Sequence, residues 1–126
     1  MNKVVAYDCK NILFARTSIL GSRIYMDAMK RDIILNKNSI DKMPAITLNK
    51  ILKLYKVKES FTLITDIEGM ESEIFFKDSK SLKNCKCIIA ELENTHLYSI
   101  NDQIKKLTDI GFKLEAFKKN VGVFLR

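Results

Sequence analysis

The stretch Thr65-Asp66-Ile67-Glu68-Gly69-Met70-Glu71 carries the pattern D-x-E-G-x-E at the end of a short apolar segment. That segment, Phe61–Ile67, is rich in β-branched and apolar residues, which predicts a central strand of a covered sheet. Ligands of open α/β sheets lie beyond the carboxyl ends of the strands. We therefore expect Asp66 and Glu68 to edge a crevice, and Gly69 to permit a tight turn or a close approach of the backbone to a ligand.

Helical and strand patterns alternate on both sides of this stretch. Upstream, Thr47 is a suitable N-cap for a helix whose apolar residues recur at helical spacing. Downstream, a short amphipathic helix is predicted after Gly69, and a buried strand is predicted over Cys87–Leu92. The residues expected to face inward are Leu48, Ile51, Leu52 and Tyr55 in the first helix, and Met70, Ile74 and Phe75 in the second.

The C-terminal part of the chain predicts one more helix and a hairpin. Ser99 is expected to cap the helix, with Asp102 as an acidic form of the capping box, and Gly111 is expected to end it. Phe112–Phe117 and Val121–Leu125 predict two antiparallel strands joined by a polar turn. This order of elements predicts an α/β fold, the C-terminal half of a Rossmann-like domain, with a mixed sheet that ends in an antiparallel hairpin.

The first 45 residues follow a different pattern. Val4–Tyr7 and Ile12–Ala15 flank a polar turn and predict a small hairpin. From Thr17 to Pro44 the periodicity is mixed, with one strand predicted at Ile33–Leu35. We therefore expect the whole chain to form a single partial domain, with a hairpin and an irregular segment in 1–45 and an α/β core in 46–126.

Composition limits the class of protein. The 126 residues are 47% hydrophobic and 29% charged, as in an ordinary soluble globular domain. No apolar run approaches the roughly 20 residues that span a bilayer. The N-terminal residues lack the apolar stretch and the small-residue cleavage site of a secretory signal. We therefore expect a cytoplasmic protein without a membrane partner.

Neither the cysteines nor the basic residues indicate a specialised site. Cys85 and Cys87 form a C-x-C pair without a second cysteine or histidine cluster, so we expect no disulfide framework and no metal site. We expect at least one of the two cysteines to be a small buried residue, as free cysteines often are. The net charge of +7 comes mostly from dispersed lysines, which argues against a nucleic-acid partner. A solvated lysine surface and attraction to an anionic substrate both remain open.

The D-x-E-G-x-E stretch resembles the central signature of the FkbM family of methyltransferases, which commonly has aspartate, glutamate, glycine and glutamate in this arrangement. Ile46–Leu52 is similar to the start of the helix that precedes the signature, with Asn49 in place of the usual aspartate. Ile88–Glu91 resembles the family's next strand, which ends in glutamate, and Ile110–Phe112 resembles the following helix-to-strand turn. Val4–Asp8 is compatible with the strand that precedes the family's small hairpin.

The resemblance implies an S-adenosylmethionine-dependent O-methyltransferase that acts on a hydroxyl of a sugar, polyketide or other small molecule. Such catalysis depends on positioning the acceptor oxygen and on a base. Strand ends that are neighbours in the sheet would bring the acidic residues and the single histidine towards one crevice. The candidate catalytic residues are Asp66, Glu68 and Glu91, the candidate substrate contacts are Glu93 and His96, and the candidate cofactor contact is Gly69.

The cofactor half of that family's domain has no counterpart in the sequence. The 4 glycines, at 21, 69, 111 and 122, are too far apart to form a glycine-rich cofactor loop. We therefore expect the isolated chain not to bind S-adenosylmethionine and to be inactive alone. The alternatives are a non-enzymatic binding or oligomerising module and a basic nucleic-acid-binding domain. A sheet without its usual partners would expose a strand edge and apolar surface, which predicts a homodimer.

Overall fold

Residues 3–16, 22–24 and 40–126 are described by the computed structural model, and they form four strands followed by an α/β segment that ends in two strands. The strands are β1 (Val4–Val5), β2 (Asn11–Arg16), β3 (Ser22–Ile24), β4 (Ile40–Ile46), β5 (Phe61–Thr65), β6 (Cys85–Glu91), β7 (Lys113–Lys118) and β8 (Val121–Leu125). The helices are α1 (Leu48–Leu54), α2 (Glu71–Lys77) and α3 (Ile100–Asp109), with a 3-10 helix over Ser79–Leu82. The strands belong to two four-stranded sheets.

The C-terminal sheet has the strand order β5-β6-β8-β7. β5 and β6 run parallel, with α2 and the 3-10 helix in the connection between them. β8 runs antiparallel to both β6 and β7, so the last hairpin places its second strand inside the sheet. This arrangement confirms the predicted α/β class and the mixed sheet that ends in an antiparallel hairpin.

The predicted helix caps are present. The Thr47 hydroxyl accepts a hydrogen bond from the backbone N–H of Lys50, which satisfies one of the free donors at the start of α1. Ser99 and Asp102 form the full capping box at the start of α3. Gly111 follows α3 with a φ of 98°, a left-handed conformation in which the missing Cβ avoids strain.

The core lies between one face of the C-terminal sheet and the helices packed on it. On β6 and β8, Ile88 and Phe124 are directly paired and fully buried. Phe75 of α2 and Leu107 of α3 are equally buried against them. Full burial of such side chains contributes roughly 1.5–3 kcal/mol each, so this layer is the main stabilising region of the described chain.

The N-terminal sheet corrects one of the predictions. Its strand order is β1-β4-β2-β3, so β4 lies between β1 and β2 and pairs with both. The hairpin predicted from Val4–Tyr7 and Ile12–Ala15 is therefore wrong, because β1 pairs in parallel with β4 and β2 pairs with β3 and β4. The strand predicted at Ile33–Leu35 lies outside the described residues.

Asp78, at the end of α2, links the segment after β1 to the start of α1. Its carboxylate accepts hydrogen bonds from the Tyr7 hydroxyl at 3.1 Å and from the backbone N–H of Asn49 at 2.9 Å. The Tyr7 oxygen in turn accepts from the backbone N–H of Leu48. Burial raises the pKa of Tyr7, so the phenol remains a donor at neutral pH. The segment after β1 is thereby held against α1 and α2, where it forms one wall of a cavity.

Candidate functional site

The turn that follows β5 is organised by the carboxylate of Glu71. One oxygen of this carboxylate accepts a hydrogen bond from the backbone N–H of Ile67 at 2.6 Å, and the other accepts from Gly69 at 2.9 Å. Glu68 and Gly69 have φ angles of 57° and 92°, which reverse the direction of the chain. Since the Ile67 N–H is bonded inside the turn, β5 ends at Thr65, two residues before the predicted boundary.

Glu71 itself is fully buried at the first turn of α2. Burial raises the pKa of Glu71 to about 7, although its backbone N–H bonds favour the charged form. The sequence pattern alone did not identify Glu71 as part of the site. The available signal was an acidic residue in the first turn of a helix, which is usually interpreted as a solvated partner of the helix dipole.

The acidic residues at the ends of β5 and β6 lie side by side. Thr65 is paired with Ala90 in the parallel register, so Asp66 and Glu91 follow on neighbouring strands. The charge of Asp66 raises the pKa of Glu91, with smaller contributions from desolvation and from Glu93 and other acids. We refer to Asp66, Glu68, Glu91 and Glu93 as the acidic rim. The structure thus places these predicted residues together, and their roles remain predictions.

A cavity of about 270 Å³ lies next to the acidic rim. Its lining combines apolar side chains with acidic, basic and hydroxyl groups. The lining residues are Ala6, Tyr7, Ile12, Glu68, Gly69, Met70, Ser72, Glu73, Lys77, Thr95, His96 and Leu97. His96 therefore faces the cavity together with Glu68 and Gly69, whereas Asp66, Glu91 and Glu93 are not among the lining residues. Glu68 is the predicted catalytic residue that belongs to both features.

The loop that carries His96 is held at both ends. The Thr95 hydroxyl accepts from the backbone N–H of Tyr98, and the Tyr98 ring stacks on Phe76 of α2 with centroids 3.8 Å apart. At the start of the loop, the buried Gln103 side chain donates to the backbone oxygen of Glu93 at 2.6 Å. These contacts fix the loop against α2 and α3, so His96 is held over the cavity although its side chain is exposed.

Gly69 is already engaged within its own turn. Its backbone N–H donates to Glu71, and its backbone oxygen accepts from the Ser72 hydroxyl at 2.9 Å. Both polar backbone atoms of Gly69 are thus bonded inside the protein. The left-handed backbone conformation that glycine allows is used here to form the turn. A contact between Gly69 and a cofactor remains a prediction.

The described residues do not assemble a metal site. Within residues 3–16, 22–24 and 40–126, no group of three or more His, Cys, Asp or Glu side chains is arranged to hold a metal ion. Cys85 is buried and Cys87 is half-buried on β6, as expected for small residues on a covered strand. In the same part of the chain, no helix is long and apolar enough to cross a bilayer.

Comparison with known proteins gives one result. The Methyltransferase FkbM domain matches residues 16–114 of the 126-residue chain, a span that includes the turn after β5, the acidic rim and α3. Neither a curated protein nor a solved structure matches the chain. Since the match covers well over half of the sequence, the chain belongs to the FkbM methyltransferase domain family.

Proposed function

We propose that this chain forms the acceptor side of an S-adenosylmethionine-dependent methyltransferase that acts on a hydroxyl of a sugar or other small molecule. The observation that supports this proposal best is the pairing of Asp66 and Glu91 at the ends of two parallel strands, where the charge of Asp66 raises the pKa of Glu91. In a methyltransferase family, such a pair at a strand end is suited to contact the reacting hydroxyl.

The chemistry of an acceptor hydroxyl fits the acidic rim. A hydroxyl donates a hydrogen bond to a carboxylate, which fixes the orientation of its oxygen. Methylation of that oxygen releases its proton, which needs an acceptor nearby. A carboxylate with a raised pKa holds a proton more readily than an ordinary one, so Glu91 is the proposed base and Asp66 its positioning partner. Glu68 and His96 would contact the remainder of the acceptor from the adjacent cavity.

The residues described here do not fit the cofactor itself. Gly69 is engaged in its turn, and Gly111 lies after α3 beside Arg126. At Gly122 in β8, a Cβ would come within 2.6 Å of the Phe124 ring, so this glycine admits a core side chain. Of these three glycines, Gly69 alone lies between a strand and the following helix, and both of its polar backbone atoms are bonded within the turn. We therefore propose that the isolated chain does not hold S-adenosylmethionine.

The acceptor half of the proposal can be tested by ligand-observed NMR with methyl glycosides as probes. Saturation transfer from the wild-type chain is expected, and Glu91→Gln or Asp66→Asn should weaken it several-fold because each replaces a charged acceptor with a weaker, neutral amide oxygen. Glu115→Gln is the matched control, since Glu115 lies on β7, two strands away from β6. Binding that is absent, or that both rim variants leave unchanged, would contradict the proposed acceptor site.

The cofactor half is tested separately by calorimetric titration of the wild-type chain with S-adenosylmethionine. No binding is expected in the micromolar range, because the described glycines form no cofactor loop. A micromolar dissociation constant would overturn this half of the proposal. It would leave the acceptor site to be decided by the NMR result.

A further inference from the structure

The two edges of the C-terminal sheet differ in their protection against pairing. β7, at one edge, carries Lys113, Glu115 and Lys118, and its register with β8 is broken by an irregularity between Leu114 and Ala116. Charged residues and bulges are the usual means by which an edge strand avoids another chain. β5, at the other edge, has the sequence Phe-Thr-Leu-Ile-Thr, which contains no charge, and its one irregularity is at its first residue.

The surface around the β5 edge is apolar as well as uncharged. Ile64 is 73% exposed in the middle of the strand, an unusual position for a β-branched apolar residue. Its register partners Ile89 on β6 and Val123 on β8 share its face of the sheet and are only half-buried. This face lies opposite the one that packs on α2 and α3. Among the described residues, the outer edge of β5 pairs with no strand, and it is continuous with this uncovered apolar face.

Charge at the two ends of β5 selects one direction of pairing. Lys56, Lys58 and Glu59 precede the strand and are exposed, so this end carries a net positive charge, whereas the acidic rim follows the strand. Parallel pairing of two copies would place lysine beside lysine and carboxylate beside carboxylate, which is unfavourable. Antiparallel pairing places each basic end beside the other copy's acidic end, and such complementarity fixes register and orientation.

We propose that a second copy of this chain pairs with β5 in antiparallel orientation and forms a two-fold symmetric dimer with a continuous eight-stranded sheet. In a register centred on Leu63, Ile64 of each copy lies opposite Thr62 of the other on the uncovered face. The same antiparallel pairing brings the lysines that precede β5 in one copy towards the acidic rim that follows β5 in the other. The second copy thereby contributes a cation to the acidic rim, so the candidate site is shared between the two chains. The pairing does not depend on the methyl-transfer proposal.

The mass of the full chain in solution tests this pairing first. Sedimentation equilibrium at micromolar concentration is expected to give twice the 14.5 kDa of one chain. Ile64→Lys should yield the monomer, because it places a charge in the middle of the paired edge. Leu54→Lys is the matched control, since Leu54 is 58% exposed on α1 and should leave the dimer intact. A wild-type monomer, or a dimer that Ile64→Lys leaves unchanged, would overturn the proposal.

The charge pairing and the strand edge allow two further measurements. Lys58→Glu should raise the dissociation constant of the dimer roughly tenfold or more. The variant places a carboxylate of one copy beside the acidic rim of the other, so an attraction across the interface becomes a repulsion. Hydrogen exchange should show the β5 amides protected at high chain concentration and less protected on dilution. If Ile64→Lys loses its circular-dichroism spectrum, Lys58→Glu decides the question, and association unchanged by that variant would overturn the proposal.

Discussion

Glu71 and Glu91 are two glutamates whose pKa is raised for different reasons in neighbouring parts of the molecule. Burial is the main cause at Glu71, which lies inside the turn and accepts two backbone hydrogen bonds. The neighbouring charge of Asp66 is the main cause at Glu91, which lies on the rim. The first glutamate holds the chain in shape, and the second is available to a ligand. A raised pKa identifies a candidate for chemistry only when the group is also accessible.

The contrast between accessible and buried acids also applies within the D-x-E-G-x-E pattern. Its first two acids, Asp66 and Glu68, belong to the acidic rim, whereas its last acid belongs to the protein interior. The glycine between them supplies a left-handed backbone conformation and an N–H for the buried carboxylate. Substitutions at the two ends of the pattern should therefore have different consequences, in stability at one end and in ligand binding and titration at the other.

The largest expected effect is a loss of stability on Glu71→Ala. The substitution leaves the backbone N–H groups of Ile67 and Gly69 without their acceptors in a buried turn. An unsatisfied buried donor costs about 1–3 kcal/mol, so the free energy of unfolding should fall by about 3 kcal/mol or more. Urea unfolding measures the change, with Glu59→Ala at an exposed position as the control. A loss no larger than the control's would show that the turn does not depend on this carboxylate.

The second prediction concerns pH and the same residue. The folded pKa of Glu71, about 7, lies above the ordinary value of 4.5, so the folded state binds the proton more tightly than the unfolded state. Its contribution to stability is therefore fully present below pH 4.5 and is lost as the pH rises through 7. The free energy of unfolding of the wild type should fall by roughly 3 kcal/mol, because each pKa unit between the folded and unfolded states corresponds to about 1.4 kcal/mol.

Glu71→Gln tests this pH dependence, because an amide does not titrate. The difference in unfolding free energy between the wild type and Glu71→Gln should decrease between pH 4.5 and 7. Urea unfolding at a series of pH values supplies the measurement. A difference that stays constant over this range would mean that Glu71 titrates normally in the folded protein.

The smallest expected effect is confined to the rim. Asp66→Asn removes the charge that contributes most to the raised pKa of Glu91, so that pKa should move down towards its ordinary value. NMR titration of the Glu91 side chain follows the shift directly, and Glu115→Gln on β7 should leave the Glu91 titration unchanged. Since both rim residues lie at the surface, the folded state should keep its stability. If Asp66→Asn leaves the Glu91 titration unchanged, the charge of Asp66 is not the cause of the raised pKa of Glu91.

Local signals in the sequence were sufficient to predict most of the fold after residue 46. The N-caps Thr47 and Ser99 are set by hydrogen bonds that span three residues, and such short-range patterns are visible in one sequence. β4 was not predicted, because Pro44 and two charged residues interrupt its apolar pattern. Its pairing with β1 and β2 joins residues 25 or more positions apart, which no local pattern determines.

The sequence was sufficient to predict that acidic side chains converge at one edge of the sheet, but it did not predict that Glu71 is buried and has a structural role. Asp66 and Glu91 follow apolar strands, and the parallel connection between those strands brings the two carboxylates to one edge. The burial of Glu71 depends on how α2 packs on the sheet, which the sequence pattern does not show. The end of β5 was misplaced for the same reason, because the Ile67 N–H bonds to that buried carboxylate.

The buried carboxylate of Glu71 also affects how a sequence signature should be interpreted. A descendant chain that no longer transferred methyl groups would still need this glutamate and Gly69 to close the turn after β5. The presence of these two residues in a related sequence is therefore evidence for the fold and is not evidence for methyl transfer. Evidence for an active enzyme has to come from positions that the fold does not require, and we expect Asp66 and Glu91, which lie at the surface, to be such positions in this chain.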